Sequence, residues 1–502
     1  MAEKFFWADA IADRIIKEKT LTKGKKEFVC ASGITPSGTI HIGNFREVIT
    51  TDLVVKALKD KGEKVKFIYS WDDFDRFRKV PSGVDQSYEK YIGMPISDIP
   101  SPFDKNKSYA EYNEKNFENS LTQVNISPEF IYQNKMNKKC KYAKLIKVAL
   151  DKRKEIIKIL DKYRKEPLKD DWMPIMIYCD KCKKDTTKII SHKDYEIEYE
   201  CNCGFKEKFD FRKKGIISIR WRVDWPLRWK YEGVDFEPGG IDHSVEGGSF
   251  TTSKEISKKV FDYQYPIYQF YEWINIKGMA LKDFHSSKGK IMTLDEVLEI
   301  YEPEILRYIF VSTRPNKAFE ISLDVGVIKI YEDYDKLEQD YFGKRLDEQQ
   351  KRIYELSQIK KVKKSKPEKL SFRHLTTLVQ IGKIKDLNSE SKKRAEKVKN
   401  WLKKYAPEDF KFEVQEKLKF PFEGTDKKSL IELRKLLESK DFTEEELFNE
   451  FYNICQKLEI KNTDFFKTCY QAIIGKDKGP RLASLILAIG KEKVIKLLEQ
   501  IK

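Results

Sequence analysis

Histidine is scarce in this chain, with five in 502 residues, and cysteine is nearly so, with eight. No stretch approaches about 18 uninterrupted apolar residues, which excludes a helical membrane span. Four cysteines are scattered singles (Cys30, Cys140, Cys455, Cys469) and four are clustered. That excludes a disulfide framework and fits a reducing, cytoplasmic setting with a metal site. The first residues (Phe5, Phe6, Trp7, Ile11, Ile15, Ile16) are interrupted by Asp9 and Asp13. They lack the basic, apolar and small-residue succession of a signal peptide and read as a docking helix. Acidic residues are in deficit, 81 against 98 basic ones, and the net charge of +17 favours a polyanionic partner. With 40% hydrophobic residues the chain is rich enough for a real core. Its length implies about three or four domains.

The most informative stretch is Ala31-Ser-Gly-Ile-Thr-Pro-Ser-Gly-Thr-Ile-His-Ile-Gly-Asn44. It lies between a short apolar strand (Phe28, Val29, Cys30) and an amphipathic helix striped by Phe45, Ile49 and Leu53. A strand opening through small residues into a helix brings unpaired N–H groups to one point, where the helix dipole adds positive potential. Thr35, Pro36, Ser37 and Gly38 bend the chain, while Gly33, Gly38 and Gly43 let a ligand approach the backbone. His41 and Asn44, three apart, share a face if the helix begins near His41, and both can donate to phosphate oxygens. No Gly-Lys-Ser/Thr follows, so this is a nucleotide site built on neutral donors and not a Walker loop.

Val65–Trp71 reads as a second strand, and strand–helix–strand is the first half of a doubly wound parallel α/β sheet with its ligand crevice at the strands' carboxyl ends. Asp72, Asp73 and Asp75 fall on that rim, where they can hold a cationic substrate or cap a helix. From about residue 78 to 171 the chain becomes proline-punctuated and then basic and helical, the texture of an insertion. Within it, Cys179-Asp-Lys-Cys182 and Cys201-Asn-Cys203 present two thiolate pairs that can converge on Zn²⁺ as a structural site. The second pair is C-x-C, one residue shorter than usual, and His192 between the pairs can replace a cysteine or sit in the ribbon.

The run Ile216–Trp221 reads as the return of the sheet. Phe236–His243 is another strand-exit loop, with Gly240 beside a ligand, Asp242 suited to a ribose hydroxyl and His243 to a polar substrate group. Tyr265–Trp273 reads as a buried aromatic strand. Phe284-His-Ser-Ser-Lys288-Gly-Lys290 is a polar loop whose Ser286, Ser287 and Lys288 can meet a triphosphate. His41, His243 and His285 thus fall in the three candidate ligand loops, whereas His192 and His374 do not. Beyond about residue 320 the pattern is helical. Lys360–Pro367 reads as an exposed linker, and Thr443 with Glu446 forms a capping box ahead of Leu447, Phe451 and Cys455.

His41-Ile-Gly-Asn44 resembles the HIGH signature of class I aminoacyl-tRNA synthetases, and the longer run Gly33–Glu47 resembles the class I lysyl-tRNA synthetase family. Phe284–Lys290 is similar to the second signature, KMSKS, in a form with two serines before the lysine. It departs from the family in having Phe284 and His285 where methionine and serine are usual. The resemblance implies a Rossmann-type (HUP-like) catalytic domain with a zinc-bearing insertion and an all-α anticodon-binding domain. Residues 1–80 are the first half of the catalytic domain. Residues 81–215 are an insertion that binds the acceptor end, with a zinc ribbon at 175–210. Residues 216–325 are the second half with the KMSKS-like loop, and 326–502 the anticodon-binding domain.

The implied activity is ATP-dependent conversion of L-lysine to lysyl-adenylate, with Mg²⁺ accompanying ATP, and transfer to the 3′-terminal adenosine of tRNA(Lys). The catalytic residues are then His41, Asn44 and Lys288. ATP meets Thr35, Pro36, Ser37, Gly38, His41, Gly43, Asn44, Gly240, Asp242, Ser286, Ser287 and Lys288. Gly33, Thr35, Asp72, Trp221, His243 and Tyr271 surround lysine, and Cys179, Cys182, Cys201 and Cys203 hold zinc. A cytoplasmic monomer is expected, with no membrane partner. The rivals are a class I synthetase for another amino acid, glutamate being nearest, and an inactive RNA-binding paralogue. Acids at Asp72 and Asp73 favour a cationic amino acid, and an arginine lining the pocket would argue the reverse.

Overall fold

The structure, a computed structural model, describes residues 6–24, 27–81, 83–277, 292–419 and 421–501. Five parallel strands form the central sheet: β1 (Glu27–Ile34), β2 (Lys64–Trp71), β3 (Glu129–Tyr132), β4 (Phe236–Gly240) and β5 (Ile267–Tyr271), in the order β5-β4-β1-β2-β3. The chain builds outward from β1 in one direction through β2 and β3, then in the other through β4 and β5. The crevice therefore opens at the carboxyl ends of β1 and β4, the topological switch point. β1 pairs with β2 over its whole length, Gly33 opposite Ser70. A side chain at Gly33 would begin 2.5 Å from the Ser70 carbonyl oxygen, so glycine is what lets the two strands run this close at the rim.

Helix α1 (Trp7–Lys23) buries Ala8, Ala12 and Ile15, one side of the docking helix read from the sequence. Helix α2 (Ile42–Asp60) buries Phe45, Ile49 and Leu53 as the stripe predicts. It also buries Asp52, which receives Arg307 at 2.6 Å, and the same wholly buried guanidinium donates to the carbonyls of Leu356 and Val124.

Three expectations need correcting. The first is Phe236–His243, read as a strand-exit loop: its first five residues are the strand β4 itself, and its last three open the short helix Ile241–Ser244. The run Ile216–Trp221 is not a strand of the main sheet. Ile217–Ile219 pairs antiparallel with Ile175–Ile177, closing the insertion where it leaves and returns, and Trp221 opens helix α3 (Trp221–Glu232). Alternation identifies a half-buried strand but carries no information about its partner. The third parallel strand, β3, comes instead from inside the stretch read as an insertion. Its four residues, Glu-Phe-Ile-Tyr, are too short to stand out as a pattern. In α3, Pro226 removes one helical hydrogen bond, and the Ser253 hydroxyl donates to the released carbonyl of Arg222.

The chain divides into two compact units. The first contains the sheet and the insertion, with residues 303–321 and 345–362. Its insertion core runs from Tyr142, Ile146 and Leu160 through Tyr199 and Phe209 to Val223, Leu227 and Ile256. The second comprises residues 299–302, 322–344 and 363–502. There Leu430, Leu433, Phe451, Phe465, Ile473, Leu485 and Val494 form a helical core. The capping box at Thr443 and Glu446 is present as expected, and the wholly buried Arg394 binds Glu302 and Asp335 at 2.6 and 2.7 Å. No helix among the described residues is long and apolar enough to cross a membrane.

Removing one partner of a buried ion pair leaves the other charge uncompensated. Arg307→Met should therefore lower the stability of the first unit by about 3 kcal/mol or more in urea denaturation, and the added change Asp52→Leu should recover most of that loss.

Candidate active site

The first turn of α2 sets the chemistry. His41 is its N-cap, with extended backbone, and its Nδ1 accepts the Gly43 N–H at 3.1 Å, while Asn44 Oδ1 accepts the His41 N–H at 3.1 Å. This reciprocal capping consumes the acceptor of each side chain. What remains to face a ligand is a donor from each, the His41 Nε2–H and the Asn44 amide NH₂. Burial lowers the His41 pKa, which favours the neutral imidazole this arrangement requires. Gly43 is obligatory here, because a Cβ would stand 2.8 Å from the imidazole. The preceding loop is tied down from the insertion. Tyr109 donates to the Ser37 carbonyl at 3.2 Å, and Asn113 donates to that of Pro36 at 3.5 Å.

Beside this turn lies a cavity of about 1270 Å³ lined by Gly33, Thr35, Asn44, Asp72, Trp221, His243 and Tyr271. All six residues proposed for the amino acid are thus brought to one cavity, joined by Asn44. His41, Pro36, Ser37, Gly38, Gly43, Gly240 and Asp242 are not among its lining. Gly240 pairs with Tyr271 across β4 and β5, and Asp242 stands in the short helix Ile241–Ser244 that follows. Trp221 stacks on Trp225 at 5.0 Å, with the His243 ring 5.7 Å from Trp225. Ser286, Ser287 and Lys288, with Phe284 and His285, lie outside the described residues.

The acids of the rim have separate fates. Asp72 is paired with Arg228, which also binds Asp224. Asp73 accepts both the backbone and side-chain amides of Asn134, and Asp75 accepts the Thr35 hydroxyl at 2.9 Å. Burial pushes Asp73 and Asp75 up to about 7, with Asp72 adding to the effect on each. Asp72, the proposed anion for a substrate ammonium, is thus already satisfied by a guanidinium.

The residue that the sequence reading passed over is Glu47, one helical turn after Gly43. It lines the same cavity, and its carboxylate accepts the Gly33 N–H and the Tyr271 hydroxyl, both at 2.8 Å. Both partners are neutral. Desolvation, opposed by those two bonds, pushes the Glu47 carboxyl up to about 8. Such a group exchanges its proton readily for a cation. Its signal was present in the sequence, as an acid two residues after the first member of the apolar helix stripe and at the end of the quoted signature, but without tertiary contacts it looks like a solvated helix residue. Five arginines also line the cavity: Arg76 pairs with Asp185 at 3.2 Å, Arg164 donates to the Glu166 carbonyl, Arg220 to that of Met173 and Arg222 to that of Gly247, while Arg78 is exposed. Arginines thus do line the pocket, the feature read from the sequence as arguing against a cationic amino acid, but four of the five are engaged with other groups, whereas Glu47 has only neutral partners.

The four clustered cysteines converge. Their sulfurs lie within 4.8 Å of one another, with Cys179 to Cys203 at 3.7 Å and Cys182 to Cys201 at 3.6 Å. Tetrahedral zinc with Zn–S of about 2.3 Å needs sulfurs about 3.8 Å apart, so the donor set fits. Each knuckle closes on a left-handed residue, Lys183 or Gly204, whose N–H returns to the carbonyl of Cys179 or Cys201. His192 lies on the strand Thr187–Lys193 opposite Ile197, outside the cluster.

A parallel sheet with a capped helix N-terminus of this kind at its switch point, and a helical C-terminal unit, is the build of a class I tRNA synthetase. Residues 5–360 match the family described as tRNA synthetases class I (K), and residues 382–502 match an anticodon binding domain. The chain is 44% identical to a lysine–tRNA ligase of Borreliella burgdorferi, over 98% of both chains. It is 40% identical to those of Treponema pallidum, over 98% of both, and Pyrococcus horikoshii, over 98% of this chain and 99% of the relative. The chain belongs to the class I lysine-type tRNA synthetase family.

Between the ordinary glutamate pKa and about 8, the folded protein keeps the Glu47 proton that the unfolded chain has released, so stability falls as pH rises through that window. Glu47→Gln should flatten that decline in ligand-free protein, as measured by thermal unfolding between pH 5 and about 8.

Proposed function

We infer that this protein activates L-lysine with ATP and transfers it to tRNA, and that the lysine ammonium binds at Glu47. The observation that carries this reading is Glu47 itself, a desolvated carboxyl with only neutral partners at the wall of a cavity that also reaches Asn44. An ammonium at Glu47 with the aromatic faces of Tyr271 and Trp221 nearby meets the needs of a long cationic side chain. Gly33, Thr35 and His243 serve the rest of the amino acid, and Asp72 acts indirectly, as the counter-charge of Arg228.

The lysine carboxylate attacks the α-phosphorus of ATP in line, forming the mixed anhydride and releasing pyrophosphate. Little covalent work falls to the protein, which orients the reactants and stabilises charge on the phosphoryl oxygens. His41 Nε2–H and the Asn44 amide donate to that charge. Thr35, Pro36, Ser37, Gly38 and Gly43 supply backbone close to the nucleotide, with Gly240 and Asp242 on the adenosine. Ser286, Ser287 and Lys288 meet the β and γ phosphates, and Mg²⁺ arrives with ATP as part of the substrate. In the second step a hydroxyl of the terminal adenosine, the 2′ one by class, attacks the lysyl carbonyl and AMP leaves. The insertion receives the acceptor end, and the C-terminal helices read the anticodon. Cys179, Cys182, Cys201 and Cys203 hold a structural Zn²⁺ that supports the ribbon and takes no part in the chemistry.

Aminoacylation of tRNA(Lys) transcript with each of the amino acids tests the assignment. Charging with lysine is expected, while charging with glutamate, or none, would overturn it. His41→Ala should reduce the lysylation kcat by about 10²-fold with tRNA affinity nearly unchanged. Metal analysis should find one zinc per chain, and Cys182→Ser should lose it together with thermal stability.

A further inference from the structure

The Tyr271 hydroxyl is one of only two groups that hold the Glu47 carboxylate in the described structure, so the position of its ring matters to the site. Sheet pairing ends at Tyr271, opposite Gly240. The chain then leaves the sheet, and Trp273, two residues on, is 60% exposed. Pairing resumes at Ile274–Lys277, which forms a two-stranded sheet with Phe319–Ser322. Across the gap between the two pairings, two hydrogen bonds hold the backbone. The Glu272 N–H donates to the Pro315 carbonyl at 2.9 Å, and the Trp273 carbonyl accepts from Arg46 at 3.4 Å.

Arg46 stands next to Glu47 on α2 and is 2% exposed. Its other donors go to the carbonyls of Arg314, Pro315 and Lys317 at 3.2, 2.8 and 2.7 Å, and the guanidinium lies 4.7 Å from the centre of the Phe319 ring. The Pro315 carbonyl therefore receives both Arg46 and Glu272. Among the described residues every hydrogen bond of this guanidinium runs to a backbone carbonyl, none to a carboxylate. Burying a cation on backbone dipoles, with the charge of Glu272 also favouring it, is unfavourable by comparison with an apolar side chain of the same size, so packing does not account for arginine here. A planar fork of five donors is what can reach two separate backbone segments from one side chain, which a lysine point charge cannot do. Neighbouring residues of one helix thus grip one segment from two sides, Glu47 through the Tyr271 side chain and Arg46 through the backbone just beyond it.

We propose that Arg46 is a positioning residue for amino-acid selection, holding the backbone after β5 so that Tyr271 stays seated on Glu47. The inference rests on the reading of Glu47 and Tyr271 as the ammonium site. The test is steady-state lysylation by the full-length protein carrying Arg46→Lys, Tyr271→Phe, both changes together, and Glu47→Gln. Arg46→Lys should raise the KM for lysine about tenfold while moving the KM for ATP by less than about threefold. In the double variant the two effects should fail to multiply, because both act through the same ring. An unchanged lysine KM in Arg46→Lys, an equal rise in both Michaelis constants, or full multiplication in the double variant would overturn the proposal. If Tyr271→Phe and Glu47→Gln themselves leave the lysine KM unaltered, the ammonium site is wrong and this role goes with it. If they raise it and Arg46→Lys does not, the site stands and only the role of Arg46 is lost. Arg46→Gln, which keeps planar donors without the charge, replaces Arg46→Lys should the lysine variant not fold, with the same outcomes.

Discussion

One carboxylate joins the parts of this catalytic unit. Glu47 sits on α2, takes the N–H of Gly33 at the end of β1, and takes the hydroxyl of Tyr271 at the end of β5. The switch-point crevice lies between those strands, so these two bonds span it. A carboxylate so placed loses solvent without gaining a cationic partner, and its pKa rises accordingly. The arrangement is least favourable when the site is empty and the carboxyl ionised, the condition that a bound ammonium relieves.

In the function we propose, the same helix serves both halves of the chemistry by dividing its first turns. His41 and Asn44 use their acceptors on the helix backbone and so can only donate outward. Glu47, one turn after Asn44, is acceptor-only once ionised. On the roles we propose, the anion donors stand three (Asn44) and six (His41) residues before the cation acceptor, about 4.5 and 9 Å along the axis. That spacing suits an amino acid whose carboxylate must meet a phosphate while its side chain is held elsewhere. Arg46, on another face, anchors two backbone segments.

Insertion and sheet are likewise interlocked. The insertion supplies β3 to the sheet, ties the carbonyls of Pro36 and Ser37, and shares its apolar core with α3. The ribbon at its tip joins that core through Ile197, Tyr199 and Phe209, and its two cysteine knuckles converge four sulfurs. A short C-x-C spacing works because Gly204 takes the left-handed conformation immediately afterwards.

Local pattern was enough for whatever depends on neighbours in the chain. The helix stripe at Phe45, Ile49 and Leu53, the cap at His41, the capping box at Thr443 and the two cysteine knuckles each arise from spacing within a few residues. Which strand pairs with which, and which acid remains without a cationic partner, depend on residues far apart in sequence. Thus Ile217–Ile219 has the alternation of a sheet strand yet pairs outside the sheet, and the four residues of β3 carry too little pattern to declare themselves. Asp72 looks like the free anion until Arg228, 156 residues away, is folded against it. Glu47 looks like a solvated helix acid until Tyr271 arrives from 224 residues on. Desolvation and charge pairing are properties of the packed chain, so only the tertiary structure could decide between the two.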